Sequence, residues 1–513
     1  VEVTPMPAPG PPLFLGLDVG TQGTKAVLLD TAAGRIVARA SRGYGLIEGL
    51  PEGAAEQHPD TWIEAAGAAT RDALEHAAAA EGRSAAAIAA RVAGVGVSGQ
   101  QHGAVVLDER RRVVRPAKLW CDTSTAAEAA ELSSLFGRAV PTGFTASKLL
   151  WLKRHEPERW AAVCHVLLPH DAVNLRLTGR LTMEAGDASG TGLFDPVARD
   201  WRRDDAARLD ERLPSMLPPL LAPGEPAGAL SADGAALLGL RAGLPVAAGS
   251  GDNMCSAVGS GATAPGVVVV SLGTSGTVFT YSARPVVDPA GLIAPFCDAT
   301  GGWLPLLCVM NCTNVTEHVR AATGATLEAL TAGAQRVAPG CEGRLWLPYL
   351  CGERVPDLPQ ARDLLLDAGG APLSSDERHA LAPGALFRAA LEGVSLNLAW
   401  GVDRLRALGI VVDAVRVVGG GAQNVLWRQI LADALDAPVT PLREGESAAL
   451  GAAILAAWTA RRSSGEDVSA HAVAAPCVAL AGDTARPDPA RVALYREAGE
   501  RFREAARREY GAS

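Results

Sequence analysis

The chain has 513 residues, well above the ~100–200 usual for one domain. Its 48% hydrophobic and 20% charged content is ordinary globular usage. A net charge of −9 argues against a broad nucleic-acid-binding face, because phosphate backbones are held by basic surface, though local basic pockets for a nucleotide remain open. No apolar run approaches the ~20 residues of a membrane span, and nine scattered cysteines without a CxxC pair argue against a zinc site.

Aromatic residues are only 4% and alanine and glycine are plentiful, so a core of small, closely packed aliphatics is expected. The opening VEVTPMPAPGPP reads as a flexible leader over residues 1–12. It carries no secretory signal pattern, so reduced thiols and a cytoplasmic location are expected, and the sequon-like triplets at Asn311 and Asn314 read as accidental.

LFLGLDVG, KAVLLD and GRIVARA then read as three short strands joined by glycine turns. HPDTWIEAAGAATRDALEHAAAA keeps helical spacing at Ile63, Ala66, Thr70, Ala73 and Leu74, with Pro59 at a first helical position. VAGVGVSGQ returns to strand, which makes an α/β beginning with a mixed sheet. A longer middle section of helical patterns and Pro-Gly breaks runs from Arg115 to about Pro245.

From Leu244 the pattern restarts. PGALFRAALEGVSLNLAWGVDRLRALG is a strong amphipathic helix, AVRVVGGGAQNVLWRQILADAL reads as strand, glycine turn and helix, and GESAALGAAILAAWTA as a last Ala-rich helix. Two α/β halves suggest duplication. The expected division is a first domain over 13–245, a second over 246–485 and a C-terminal helix over 486–513.

Each half carries a Gly-Thr-x-Gly-Thr hairpin, LGLDVGTQGTKAVLLD and VVVSLGTSGTVFT. Glycines let backbone N–H groups approach an anion without Cβ clashes, and threonine hydroxyls add donors. One such hairpin alone reads as turn geometry; two at equivalent places suit a polyphosphate gripped from both sides. Asp18 in the first stands where Ser271 stands in the second. Two acids against a triphosphate would repel it, whereas one can hold Mg²⁺, usually through water.

No GxxxxGK[ST] occurs, and GGGAQN departs from GxGxxG because Asn424 replaces the last glycine. Its position between strand and helix fits either a ribose or adenine contact or a tight turn. SGQQHG sets Gln101 and His102, which can bond sugar hydroxyls as donor and acceptor, just after a strand. Asp252, the only acid of AAGSGDNMCSAVGSG, reads as a helix N-cap, a proton acceptor, or both.

Taken together, SGQQHG, LWCDTST, TGFTASKLLWLKRHEPE, GDN, SLGTSG, LPYLCGER and GGGAQNVLWRQ resemble, in order, the FGGY carbohydrate kinases of the actin-like ATPase superfamily. The likeness runs from about Leu13 to about Ala460. It implies two ribonuclease-H-like α/β domains with ATP and sugar in a cleft between them, and ATP-dependent phosphorylation of D-xylulose to D-xylulose 5-phosphate.

By the same resemblance Asp252 would be the general base, and Gln101 and His102 would bind the ketose, with Asp122 and Asn253 as neighbours. Asp18 would position Mg²⁺·ATP, with Gly20, Thr21 and Gln22 in the phosphate turn. Thr274 would meet the phosphates from the second domain, and Gly420 and Asn424 would lie at the nucleoside.

Expected partners are therefore a small sugar, ATP and a second copy of the chain in a homodimer, with neither nucleic acid nor membrane. Another ketose or polyol, such as ribulose or a deoxy sugar, is the nearer alternative; a non-catalytic nucleotide-dependent sugar sensor is the more distant one. Departures from the commonest pattern at Ser250, at Asp298 and in GERVPDLPQARDLLLD would alter the cleft.

Overall fold

The computed structural model describes residues 10–512. It divides into two compact units. The first contains the chain up to Thr263, the short stretch Phe296–Leu304 and Glu446–Ala479; the second contains Ala264–Pro295, Pro305–Gly445 and the chain from Leu480. The break therefore falls at Thr263 and not at 245. Ser250–Gly251 extends the first unit's sheet, and the helix that follows stays with it.

The first unit is built on β1 (Leu13–Val19), β2 (Gly23–Asp30), β3 (Arg35–Gly43), β4 (Val92–Gly99) and β5 (Pro245–Ala247). They lie in the order β5-β4-β1-β2-β3, with Pro226–Ala229 added at the β5 edge. β1 runs antiparallel to β2 and parallel to β4. Its residues Leu13, Leu15 and Leu17 and its Phe14 are all buried, as a strand covered on both faces requires.

The helix Pro59–Glu81 starts at the cap His58, has proline in its first turn, and stops at Gly82, whose φ of 63° is left-handed. Its buried face runs from Pro59 and Trp62 through Ala66, Thr70, Ala73 and Leu74, while Ile63 is only half-buried.

The Ala-rich helix Ser447–Ser463 was expected in the second half and instead lies on the first unit's sheet. The reason is backbone proximity. A Cβ on Gly16 of β1 would sit 2.0 Å from the Ala449 carbonyl oxygen, and one on Gly96 of β4 would sit 2.0 Å from that of Ala452. Helix Asp252–Gly259 meets the same helix as closely, since a Cβ on Gly451 would lie 1.8 Å from the Cys255 carbonyl oxygen. The small aliphatics anticipated from composition are thus concentrated where helix and strand backbones touch.

The second unit uses β6 (Gly266–Leu272), β7 (Gly276–Thr280), β8 (Trp303–Val309), β9 (Val412–Val418) and β10 (Val439–Pro441). Their order, β10-β9-β6-β7-β8, and their directions repeat those of the first unit. That equivalence supports duplication. Helix Pro383–Ala407 buries Leu386, Ala389, Gly393 and Leu396, with Trp400 half-buried at the end of the stripe. The C-terminal helix Pro489–Tyr510 belongs to this unit and sets Tyr495 against Arg388 and Glu392. Asn311, the first sequon-like asparagine, is buried and donates to the Gly352 carbonyl at 2.7 Å.

Replacing Gly96 by Ala forces a methyl into the Ala452 carbonyl, and such overpacking is expected to cost about 2–3 kcal/mol. Gly45→Ala meets no atom within 4 Å and is the control. Thermal unfolding should show a marked fall in Tm for the first variant and almost none for the second.

Candidate active site

In the first unit the parallel pair β1 and β4 ends side by side, with Asp18 in register with Ser98. The chain leaves the sheet there twice, at the Gly20–Gln22 turn and at Gln100–His102. Ser250–Gly251 pairs parallel to β4 at the same end, Ser250 beside Ser98 and Gly251 beside Gly99. Asp252 therefore emerges next to Gln101.

The Ser98 hydroxyl donates to Asp18 Oδ1 at 3.0 Å. Burial raises the Asp18 pKa, opposed by the charge of Lys25, which stands opposite it on β2 and pairs with Glu446 at 2.7 Å. Asp252 is the first residue of its helix and not the cap, which is Gly251. Its Oδ1 accepts from the Asn253 N–H at 2.8 Å. Burial first, and the Asp18 and Asp187 carboxylates next, push its pKa up to about 7.

Asn253 Nδ2 donates to Gln101 Oε1 at 2.8 Å, and Gln101 Nε2 points to Met254 Sδ at 3.3 Å. Three expected residues, Gln101, Asp252 and Asn253, are thus one bonded cluster. His102 follows with a left-handed φ of 65°, its ring 4.8 Å from that of Phe144 and 6.1 Å from that of Phe296. Gly190 faces it without a side chain, since a Cβ would come within 2.1 Å of the imidazole.

The phosphate-type turn is held from inside. The Gly20 N–H donates to the Gly23 carbonyl at 3.0 Å, and Tyr44 N–H to that of Gln22 at 3.1 Å. The Thr21 hydroxyl donates to Gln100 Oε1 and accepts from Trp120 Nε1, each at 2.9 Å. Its oxygen is therefore engaged in locking the turn to β4, while the Gln22 side chain is exposed.

Asp122 does not join the Gln101 cluster's hydrogen bonds. It is fully buried, and its oxygens accept from Ala55 N–H and Lys118 Nζ at 3.0 Å and from the Ser124 hydroxyl at 2.6 Å. Burial would raise its pKa, but these bonds hold it below the ordinary carboxylate value. Its visible work is to anchor the segment that carries Lys118 and Ser124.

Two departures from the family pattern are internally satisfied. The Ser250 hydroxyl donates to Glu184 Oε1 at 2.7 Å, and Asp298 closes its own turn through Thr300 and the Gly301 N–H.

Sequence reasoning missed a buried layer beneath this site. His170 lies between Asp187 at 2.8 Å and Asp171 at 3.1 Å. Burial alone would strip its proton; the two carboxylates raise its pKa instead. Glu184 is pushed up by burial in the same layer. Gln57 was also missed: it donates to the Thr21 carbonyl at 2.7 Å and accepts from Gln100 Nε2 at 2.9 Å. The one available signal was MEAGDASGTG, which sets acids among small residues as GSGDN does.

In the second unit the turns at Gly273–Ser275 and Gly419–Gln423 follow the adjacent parallel strands β6 and β9, with Ser271 in register with Val418. Thr274 is exposed, and its carbonyl accepts from the Cys312 N–H at 3.2 Å. Gly420 is open, for a Cβ there would meet nothing within 4 Å. Asn424 caps the helix Val425–Leu435, accepting from the Trp427 N–H at 3.1 Å and donating to Thr331 Oγ1 at 3.0 Å. Both ends of its amide already hold the turn.

A family model described as the FGGY family of carbohydrate kinases, N-terminal domain, matches residues 13–259, and its C-terminal counterpart matches 268–460. The chain belongs to the FGGY family of carbohydrate kinases. The xylulose kinase of Haemophilus influenzae is 38% identical over 458 residues, 87% of this chain and 90% of that protein. That of Streptomyces coelicolor is 39% identical over 480 residues, 90% of each. The crystal structure of a "xyloylose kinase" from Brucella ovis matches with a TM-score of 0.84 at 34% identity, covering 96% of this chain and 98% of that one. This FGGY kinase therefore has the mixed α/β two-domain fold of sugar kinases. Among the described residues no helix is long and apolar enough to cross a membrane.

A carboxyl with its pKa raised in the fold loses favour as pH rises, because ionisation is easier in the unfolded chain. Asp252→Asn removes that burden, so it should raise Tm relative to wild type at pH 8. The gap should narrow at pH 5, where Asp252, with its pKa near 7, is already protonated in the fold. Unfolding scans at both pH values check the sign.

Proposed function

We propose that this FGGY kinase transfers the γ-phosphoryl group of ATP to D-xylulose, giving D-xylulose 5-phosphate and ADP. The observation that carries the reading is Asp252. It is a half-buried carboxylate with its pKa raised to about 7, next in sequence to Asn253 and bonded through it to Gln101. A general base works best with a pKa near the operating pH. The likeness to xylulose kinases at 38% and 39% identity over most of the chain supports the choice of sugar.

On this reading Asp252 accepts the proton of the sugar 5-hydroxyl as its oxygen attacks the γ-phosphorus. The bond to the bridging β–γ oxygen breaks, and ADP leaves with that electron pair. Gln101 and Asn253, with a side-chain donor and acceptor each, orient the ketose, and the His102 imidazole adds a further polar contact.

The backbone turn at Gly20–Gln22 is the phosphate contact of the first unit; Thr274 is read as a phosphate contact and Gly420 as a nucleoside contact of the second. Phosphoryl transfer of this kind is mainly positioning and electrostatics.

Asp18 fits a Mg²⁺ ion held through water: it is a half-buried carboxylate beside the phosphate-type turn, and the described residues hold no group of three or more ligands that would cage an ion there. When bound, the ion offsets charge on the phosphates. Burial raises the Asp18 pKa, and the Lys25 charge and the Ser98 hydroxyl work against that rise.

ADP release with Mg²⁺·ATP, measured against D-xylulose, L-xylulose, D-ribulose, L-ribulose, glycerol, gluconate and no sugar, tests the reading. Strong preference for D-xylulose is expected; equal turnover of another substrate moves the sugar, and release that ignores every sugar overturns the kinase mechanism. Asp252→Ala should cut kcat by about 10²–10⁴-fold with ATP binding preserved. The wild-type kcat/KM should fall about tenfold per pH unit on the acid side of ~7.

A further inference from the structure

The segment TGFTASKLLWLKRHEPE is not used by the mechanism above, although it supplies the ring that packs on His102. Its helix, Thr145–His155, buries Lys148 to 1% exposure. The Lys148 ammonium turns back on the start of its own helix. It donates to the Gly143 carbonyl at 2.5 Å and to that of Phe144 at 3.1 Å. Those two residues form the corner on which the His102 environment is built.

The corner touches His102 in two ways. The Phe144 ring lies 4.8 Å from the imidazole, and the Thr145 hydroxyl donates to the His102 carbonyl at 3.1 Å. His102 needs such support, because a left-handed φ of 65° on a non-glycine residue costs of order 1–3 kcal/mol and persists only where its surroundings over-determine it.

The lysine is held there at a cost. Burial lowers its pKa to about 7, against the attraction of Asp122 and Cys121 and with repulsion from Lys118. A cation near the start of a helix also faces the positive end of the backbone dipole. An apolar side chain of the same length would fill the space without that penalty, but it would take from the Gly143 carbonyl its ammonium donor, while the Phe144 carbonyl would keep the Ser147 hydroxyl at 3.0 Å.

We propose that Lys148 is a positioning residue for the sugar: by tying the Gly143 and Phe144 carbonyls it fixes the corner that holds the His102 ring and backbone. The proposal rests on the reading that His102 contacts the ketose. It assigns Lys148 no contact with substrate.

The test is steady-state kinetics of Lys148→Met and Phe144→Leu, with ATP and sugar varied separately, on the sugar that the wild type turns over best. Both variants are expected to raise the sugar KM by about tenfold or more while the ATP KM stays within about twofold, the pattern of a lost sugar-binding contact. A merely structural role would lower Tm or the active fraction, and so kcat, at unchanged sugar KM.

Lys153→Met, on the same helix but bonded to the Leu209 carbonyl and paired with Asp210, should leave the sugar KM unchanged. If Lys148→Met does not fold, Phe144→Leu decides. A sugar KM within twofold of wild type in the folded variants overturns the proposal. A wild type that turns over no sugar overturns the functional reading beneath it, and shows this before any variant is made.

Discussion

The first unit depends on the backbone contact between the helix Ser447–Ser463 and the strands β1 and β4. Gly16 and Gly96 give the helix carbonyls direct access to the strands, and Gly451 brings the helix Asp252–Gly259 against the same surface. No larger residue fits at these points. The contact fixes the height of the Asp252 helix over the sheet, while the pairing of Ser250–Gly251 with β4 fixes its start. Asp18, Gln101 and Asp252 thus reach one end of the sheet because helix and strands pack at backbone distance.

That packing is also what desolvates the acids. Burial raises the pKa of Asp18, Asp252 and Glu184; the Asp18 and Asp187 charges push Asp252 up further, and the Asp187 charge does the same to Glu184. The fold answers with two basic groups placed differently. Lys25 stands across the strand pair from Asp18, and His170 is clamped between Asp171 and Asp187 below. Among the described residues no cationic side chain bonds to Asp252, and its pKa is held up to about 7. The arrangement gives Asp18 a lysine across the strand pair and leaves Asp252 without one, which sets apart two residues of the same type.

Much of this was legible along the chain. Strand–turn–strand patterns, the amphipathic helix at Pro383 and the turn at Gly419 are local signals, set by periodicity and glycine, and they fold where expected. The cluster of Gln101, Asp252 and Asn253 was legible only through motifs in order. The home of the helix Ser447–Ser463 was not, because an alanine-rich helix has no distinct apolar stripe and its partner is declared by two glycines several hundred residues away. Asp122 and Asp187 look alike as isolated acids in the sequence. Both are fully buried, and only their partners separate them: Asp122 is saturated by Lys118, Ser124 and the Ala55 N–H, whereas Asp187 pairs with His170 and faces Gly251. Trp62 displaced Ile63 on its helical face because the larger ring also finds Gln57 as a hydrogen-bond acceptor at 2.8 Å.

The two Gly-Thr hairpins, so alike in sequence, differ by one residue in register. In the first, Val19 faces Thr24 and Asp18 faces Lys25. In the second, Leu272 faces Gly276 and Ser271 faces Thr277. Aligned on their glycines, Thr277 corresponds to Thr24, so the first turn is one residue longer. Residues directly opposite on antiparallel strands share a face, and a slip of one exchanges the faces. The longer turn therefore brings a lysine to the same face as Asp18, where a half-buried carboxylate needs a counter-charge. The shorter turn brings a neutral threonine to Ser271, which needs none. Asp18 without Lys25 would lose its opposite charge at the end of the sheet, and the change in register is what lets one hairpin carry both.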